Sequence, residues 1–418
     1  MAALMLAVFT VSAGYGVVLP LLPYRLEQLL GPVAQTVQVS RNVGLMTGIY
    51  ALALFLFAPT WGRISDRRGR RGVLLAGLAG FGATMLAFSS VDALWAVYAE
   101  RFLSGMFAAA VTPVASATIG DLAATEQTRA RRLTFVSLSG VSGFLLGPML
   151  GVYIMRSAAK LFSIPGPAGA LAITLLATAG LALVAALAVG LCVPGDTHRR
   201  SVLRQGATLA ATVPAWVLPT LLTLTFIVSA GVGVFEVGLA LRGKQELGLT
   251  PYQIAVMFSE CSLVMFAAQA IVFSPLVKPQ ATRWLVPPGL VVLAAGLFLV
   301  PRASDFTSML TVVGTIAASA GILSPVLTYW ISSRAGNAQG AELGKQMAAT
   351  SLGATVGSVV GGMLFDASLP GASFLLTAGL VMIGFILSLK LPRVLGARAM
   401  GTELPTSDAE QGTLVRQV

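Results

Sequence analysis

Apolar residues along this chain seldom alternate with polar ones; they come in unbroken runs, such as Gly48–Trp61 and Gly72–Phe88. Each run is about 18–25 residues long, the length a helix needs to cross the hydrocarbon of a bilayer. Twelve spans are predicted, near 3–23, 43–61, 72–90, 93–119, 133–155, 168–193, 214–240, 252–276, 284–301, 307–332, 345–365 and 371–391. A membrane β-barrel would show alternating segments of about ten residues instead. Within lipid every backbone N–H and C=O must be paired inside the protein, and continuous runs do that as helices. The expected class is an all-α membrane protein. Connections are short except for the polar stretch from Pro194 to about Thr212. This divides the chain into a six-helix bundle (1–193), a linker (194–213), a second six-helix bundle (214–391) and a tail (392–418).

Composition agrees with this pattern. Of 418 residues 56% are hydrophobic and 10% charged, against about a quarter charged in a soluble protein; the mean hydropathy is +0.85. The net charge of +11 does not point to nucleic acid, because the bases sit in short loops with no aromatic residues interleaved. Most of the 27 Lys and Arg fall in loops on one side of the predicted bundle, and that side is cytoplasmic by the positive-inside rule. Both termini are then expected to be cytoplasmic, and the expected location is a bacterial inner (plasma) membrane, crossed many times. The N-terminal apolar run reads as the first span, since no small-residue cleavage site precedes a polar start. Cys192 and Cys261 have neither the spacing nor the context of a disulfide or metal site. Neither a metal nor a cofactor is expected.

One connection is unlike the rest. Gly62–Arg71 reads GRISDRRGRR, with Asp66 alone among five arginines. The positive-inside rule explains the bases but not the acid. The chain also repeats itself. Gly143–Gly151 and Gly353–Gly361 both read G-x-x-x-G-x-x-x-G, Pro113 is matched by Pro325, and Ser274–Arg283 falls at a similar offset from the GRISDRRGRR loop. A duplicated six-helix unit accounts for all three.

These residues resemble the major facilitator superfamily. Gly62, Asp66, Arg67, Gly69, Arg70 and Arg71 are similar to its signature loop between spans two and three, and Arg101-x-x-x-Gly105 to its second motif. Gly143, Gly147, Pro148 and Gly151 resemble the span-five motif of the twelve-span drug/proton antiporter branch, and Gly14–Pro23 the span-one pattern. The resemblance implies the major facilitator fold: twelve helices in two bundles that rock about a central cavity. It implies that Asp66 is a latch on the N-terminus of span eleven, where a carboxylate is stabilised, and that Arg70 bridges to Asp121. The alternative for Asp66 is neutralisation of the adjacent arginines. Gly147 and its companions would seal the interface between bundles, or serve ordinary helix packing.

Ionisable groups inside spans are functional suspects because each costs about 2.5–3.5 kcal/mol there. Three stand out: Arg101 in span four, Glu236 toward the outer end of span seven and Glu260 in mid-span eight; Glu100 and Asp366 are expected nearer an interface. Glu260 and Glu236 are proton-coupling candidates, each with an alternative: packing for Glu260, snorkelling to the interface for Glu236. Arg101 orients helices or exchanges with a carboxylate. Span one has no acid, although many proton-coupled members of this branch carry one there. Cavity candidates are Tyr15, Phe107, Phe235, Tyr329 and Trp330, against a reading as packing.

The function expected is secondary active transport by alternating access: proton-coupled efflux of amphipathic organic compounds. Partners would be membrane lipid, a small-molecule substrate and protons, with the chain working as a monomer. Export or import of one metabolite, siderophore or lipid, uncoupled, is the second reading. A non-transporting sensor or scaffold is the reading of another class. An enzyme is not expected: the single His198 lies in the linker, and neither a nucleophile–base pairing nor a phosphate-binding loop is visible.

Overall fold

The computed structural model describes residues 1–31, 36–122, 126–161, 167–194, 214–272, 279–334, 339–365 and 371–396, and the regular structure among them is helical. The first half of the chain forms α1 (Ala2–Leu30), α2 (Thr36–Arg68), α3 (Arg70–Ser90), α4 (Leu94–Ala108), α5 (Val111–Leu122), α6 (Glu126–Leu161) and α7 (Pro167–Cys192). The second half forms α8 (Val217–Gln245), α9 (Pro251–Val272), α10 (Val286–Leu299), α11 (Phe306–Arg334), α12 (Gln339–Met363), α13 (Ala372–Ser388) and α14 (Leu391–Gly396), with 3-10 segments at Pro279–Leu285 and Val300–Arg302. The predicted linker from residue 195, Asp366 and the tail from residue 397 lie outside the described residues.

Ten helical segments among the described residues are long and apolar enough to cross a membrane, and α13 is a shorter apolar helix. Leu94–Leu122 and Gln280–Arg302 each count once among the ten. The helix α12 is long enough, at 25 residues, but Gly, Ser and Thr dilute its apolar character.

Helix ends follow local chemistry. Thr250 and Gln253 cap α9 reciprocally: the Gln253 N–H donates to Thr250 Oγ1 at 3.3 Å and the Thr250 N–H to Gln253 Oε1 at 2.9 Å, a capping box. Asp305 starts α11 by accepting from the Ser308 N–H at 3.2 Å; the hydrogen bonds from Ser308 hold its exposed carboxyl below the usual carboxylate range. Several helices outrun the predicted spans. The GRISDRRGRR stretch, expected as a connection, is helical on both sides of Gly69, whose φ of 93° makes the break; only glycine adopts such a backbone at little cost. Predicted span four is broken at Ala109–Ala110. Pro113 lacks an N–H and its ring crowds the carbonyl one turn back, and Ala110 N–H turns to Phe107 O at 3.1 Å. Leu391 and Leu395 are buried, so the folded part continues into what was expected to be tail.

The glycine repeats explain the packing. Gly143, Gly147 and Gly151 of α6 lie on Phe9, Ala13 and Val17 of α1, while Gly353, Gly357 and Gly361 of α12 lie on Phe226, Ala230 and Val234 of α8. A Cβ on Gly147 would come within 2.5 Å of the Ala13 carbonyl oxygen. Lipid supplies no hydrophobic drive for helices to associate, so close backbone contact between small residues holds them. The same contact is made once in each half. Across the halves α2 meets α12, and a Cβ on Gly44 would lie 2.6 Å from Gly362 Cα. That contact lies at the end of α2 away from the arginine-rich stretch.

Candidate functional site

A cavity of about 380 Å³ lies between the halves. Its wall takes Tyr15 from α1, Tyr50 and Leu54 from α2, Phe144 from α6, Glu236 from α8, Met265 from α9, and hydroxyls including Ser12, Thr112, Ser229, Ser324 and Ser351. Glycines set these helices at backbone distance. Gly14 packs on Phe81 and Gly16 on Pro148, which fixes the rotation of α1. Gly233 packs on α12, where a Cβ would be 2.7 Å from Ala354 O, and Glu236 is thereby turned to the cavity.

Tyr15 Oη donates to Glu236 Oε2 at 3.0 Å, joining the halves at this level. The Tyr15 ring stacks with Tyr50 at 4.9 Å and with Phe144 at 5.9 Å between centroids. Glu236 is the charged residue on the cavity wall and has no ion-pair partner among the described residues. Arg101 lies close by, lining a small void with Tyr15 and Tyr50, but it is already occupied. Its Nε and Nη2 donate to Glu100 at 2.6 and 2.7 Å, and its guanidinium covers Phe88 at 4.7 Å. Glu100, expected near an interface, is therefore the buried counter-charge of Arg101; each is 3% exposed. A permanent cation in this setting needs such a partner.

Glu260 is elsewhere. It sits on α9 beside Gly314 of α11, one of its carboxyl oxygens buried without a partner, and is not on the cavity wall. Of the five aromatic cavity candidates the wall includes Tyr15. Phe107 packs on Gly80, Phe235 is in the apolar core, and Tyr329 packs edge-on against Trp330, whose Nε1–H donates to Thr282. Tyr50 and Phe144 had no signal in the sequence beyond being aromatic.

At the arginine-rich end Arg70 gathers the acids. Arg70 Nη1 is 2.5 Å from Asp66 Oδ1, Arg70 Nε donates to Asp121 Oδ2 at 2.9 Å, and Arg70 Nη1 reaches Ser65 Oγ at 2.6 Å. The expected Arg70–Asp121 bridge is present. The Asp66 side chain remains 61% exposed; Gly62 has open space around it, Arg67 is exposed and Arg71 half-buried. Gly143, Gly147 and Gly151 face α1 within the first half, whereas α6 touches the second half through Leu145, whose carbonyl accepts from Ser259 Oγ at 2.9 Å.

The opposite end is closed by polar contacts between the halves. Lys244 of α8 pairs with Glu27 of α1, lies 4.2 Å above the Tyr24 ring and donates to Pro23 O at 3.2 Å. Tyr24 Oη donates to Leu249 O at 2.7 Å, Ser40 Oγ to Gln245 Oε1 at 3.1 Å, and Arg156 covers the Tyr252 ring at 4.6 Å.

Two helical halves around a central cavity, closed at one end, are the architecture of a membrane transporter. A family model described as Major Facilitator Superfamily matches residues 4–335, and the chain belongs to that superfamily. "Multidrug resistance protein 2" of Bacillus subtilis (strain 168) is 26% identical over 384 residues, covering 90% of each chain. The "Quinolone resistance protein NorA" of Staphylococcus aureus (strain COL) is 23% identical over 91% of this chain and 94% of its own. Among solved structures, the human organic anion transporter MFSD10 (TETRAN) aligns with a TM-score of 0.69 at 19% identity, over 93% of this chain and 98% of that one. A bacterial homologue of the human lysosomal transporter Spinster, in an inward-facing and occupied conformation, aligns at 0.70 with 13% identity, over 94% and 96%. At these identities the structural likeness concerns the fold.

Proposed function

We propose that this protein exports amphipathic organic compounds, cations among them, by alternating access coupled to protons. The observation that carries this reading is the cavity between the halves, whose wall has an acid, Glu236, with no cation paired to it. An unpaired carboxylate away from water costs several kcal/mol, and either a proton or a cationic substrate relieves that. One site then serves both in turn, which is what exchange requires. Relatives named for multidrug and quinolone resistance support an export role.

In this reading twelve helices cross a bacterial inner membrane as bundles 1–193 and 214–391, with the arginine-rich ends and both termini in the cytoplasm. The Lys244 end is then external, and the arrangement described is inward-facing. Asp66, paired with Arg70 here, latches to the N-terminus of α12 when the cytoplasmic side closes. Glu260 serves the proton path from its place between α9 and α11. A monomer suffices, because one chain supplies both walls of the cavity.

The test is transport in proteoliposomes under an imposed pH gradient, with a lipophilic cation and a panel of metabolites. Gradient-driven cation transport by the parent, lost in Glu236→Gln, is expected. Equal transport by parent and Glu236→Gln removes the coupling role of Glu236. Uncoupled transport of a single metabolite or lipid is the second reading, favoured by the absence of an acid in span one; transport of one panel compound indifferent to the gradient would select it.

A further inference from the structure

Across the cavity a tyrosine, Tyr15, rather than a base faces Glu236. Three observations fix what Tyr15 can do. Stacking with Tyr50 at 4.9 Å and Phe144 at 5.9 Å holds its ring, and Gly14 and Gly16, in contact with Phe81 and Pro148, hold the backbone on either side. The hydroxyl is therefore a preset donor, and its acceptor is Glu236 Oε2 at 3.0 Å. The nearby cation, Arg101, is spent on Glu100. No other donor to Glu236 is found among the described residues.

We infer that Tyr15 is the positioning residue of the cavity carboxylate: its hydroxyl anchors one oxygen of Glu236 and leaves the other for a cationic ligand. A phenol O–H stabilises the ionised carboxylate, the form that pairs with a cation, without supplying a charge that would compete for it. An arginine or lysine in its place would neutralise Glu236 permanently. The Tyr15 hydroxyl therefore separates cations from uncharged compounds of the same shape by acting through Glu236. The inference rests on the cavity reading above and adds a residue from the other half of the chain to it. It also makes the site incomplete unless α1 and α8 are together, as they are here, so cation affinity falls when the halves move apart at this level.

The test uses the purified full chain and two probes, tetraphenylphosphonium and uncharged triphenylphosphine oxide, measured by titration calorimetry. Tyr15→Phe keeps the ring stack and removes the hydroxyl. Tetraphenylphosphonium binding is expected to weaken about tenfold, the size of one hydrogen bond to a charged group. Triphenylphosphine oxide binding should stay within about twofold, because the hydroxyl acts through a charge that this probe does not pair with. In the Glu236→Gln background the Tyr15→Phe change should have no further effect. Weakening of both probes, or the same cation loss with Gln at 236, would show direct contact or a packing role and overturn the inference. Equal cation binding by parent and Glu236→Gln would instead sink the cavity reading itself. A second measurement needs no ligand: the infrared carboxylate band assigned by subtracting the Glu236→Gln spectrum should shift in Tyr15→Phe. An unmoved band overturns the inference.

Discussion

Replacing Lys244 by Met tests the contact that closes the end opposite the arginine-rich stretch. The side chain is 10% exposed and its partner Glu27 is 48% exposed, so the ion pair is screened and contributes at most about 1 kcal/mol. The ammonium over Tyr24 adds about 0.5–1 kcal/mol, and its hydrogen bond to Pro23 O about 1 kcal/mol once overlap with the ion pair is allowed for. Met fills the same volume without the charge. The closed arrangement should lose about 2 kcal/mol, a roughly thirtyfold shift toward opening at that end. A reporter is available in the cavity: Val232→Cys, with Cys192 and Cys261 changed to Ala. In vesicles of known orientation, a membrane-impermeant maleimide added at the Lys244 side should label the reporter about thirty times faster in Lys244→Met, provided access limits the rate. An unchanged rate, with normal labelling from the other side, would show that the remaining contacts, the glycine contact of α2 with α12 among them, close this end without Lys244.

Asp66→Asn should fold and insert normally yet transport poorly, because Asp66 is itself exposed where it meets Arg70 and no core contact is lost; equal transport at matched membrane levels would remove the latch. Gly147→Ala should destabilise by about 1–3 kcal/mol through overpacking, since the new methyl meets the Ala13 backbone, whereas Gly180→Ala, with nothing within 4 Å, should not; thermal unfolding that ranks the two alike would refute the contact. Glu260→Gln should leave substrate binding unchanged, Glu260 being off the cavity wall, and should abolish gradient-driven uptake while exchange survives; if gradient-driven uptake persists, Glu260 serves packing.

The helices were legible because lipid admits few solutions: a continuous apolar run must pair its own backbone, and it does so as a helix regardless of its neighbours. The paired glycine repeats were legible for a related reason, since four-residue steps of Gly mark a face that a backbone approaches. Even α12, too rich in Gly, Ser and Thr to stand out by hydropathy, was visible through its repeat. The arginine-rich stretch was legible as a motif, and Arg70 does meet Asp121. That it is helical on both sides of Gly69 was not, because a charged segment between apolar runs has no periodic signal to separate helix from loop. Pairings lay beyond the sequence. Tyr15 and Glu236 are 221 residues apart, and neither flanking pattern mentions the other. Lys244 and Glu27 were two unremarkable charges in different predicted connections. Arg101 could have faced Glu260 as well as Glu100 until rotation of α4 against α2 and α3 chose between them. Helix formation is decided by interactions within one segment, whereas the direction a side chain faces depends on how that segment packs on others, and only the tertiary structure sets that rotation.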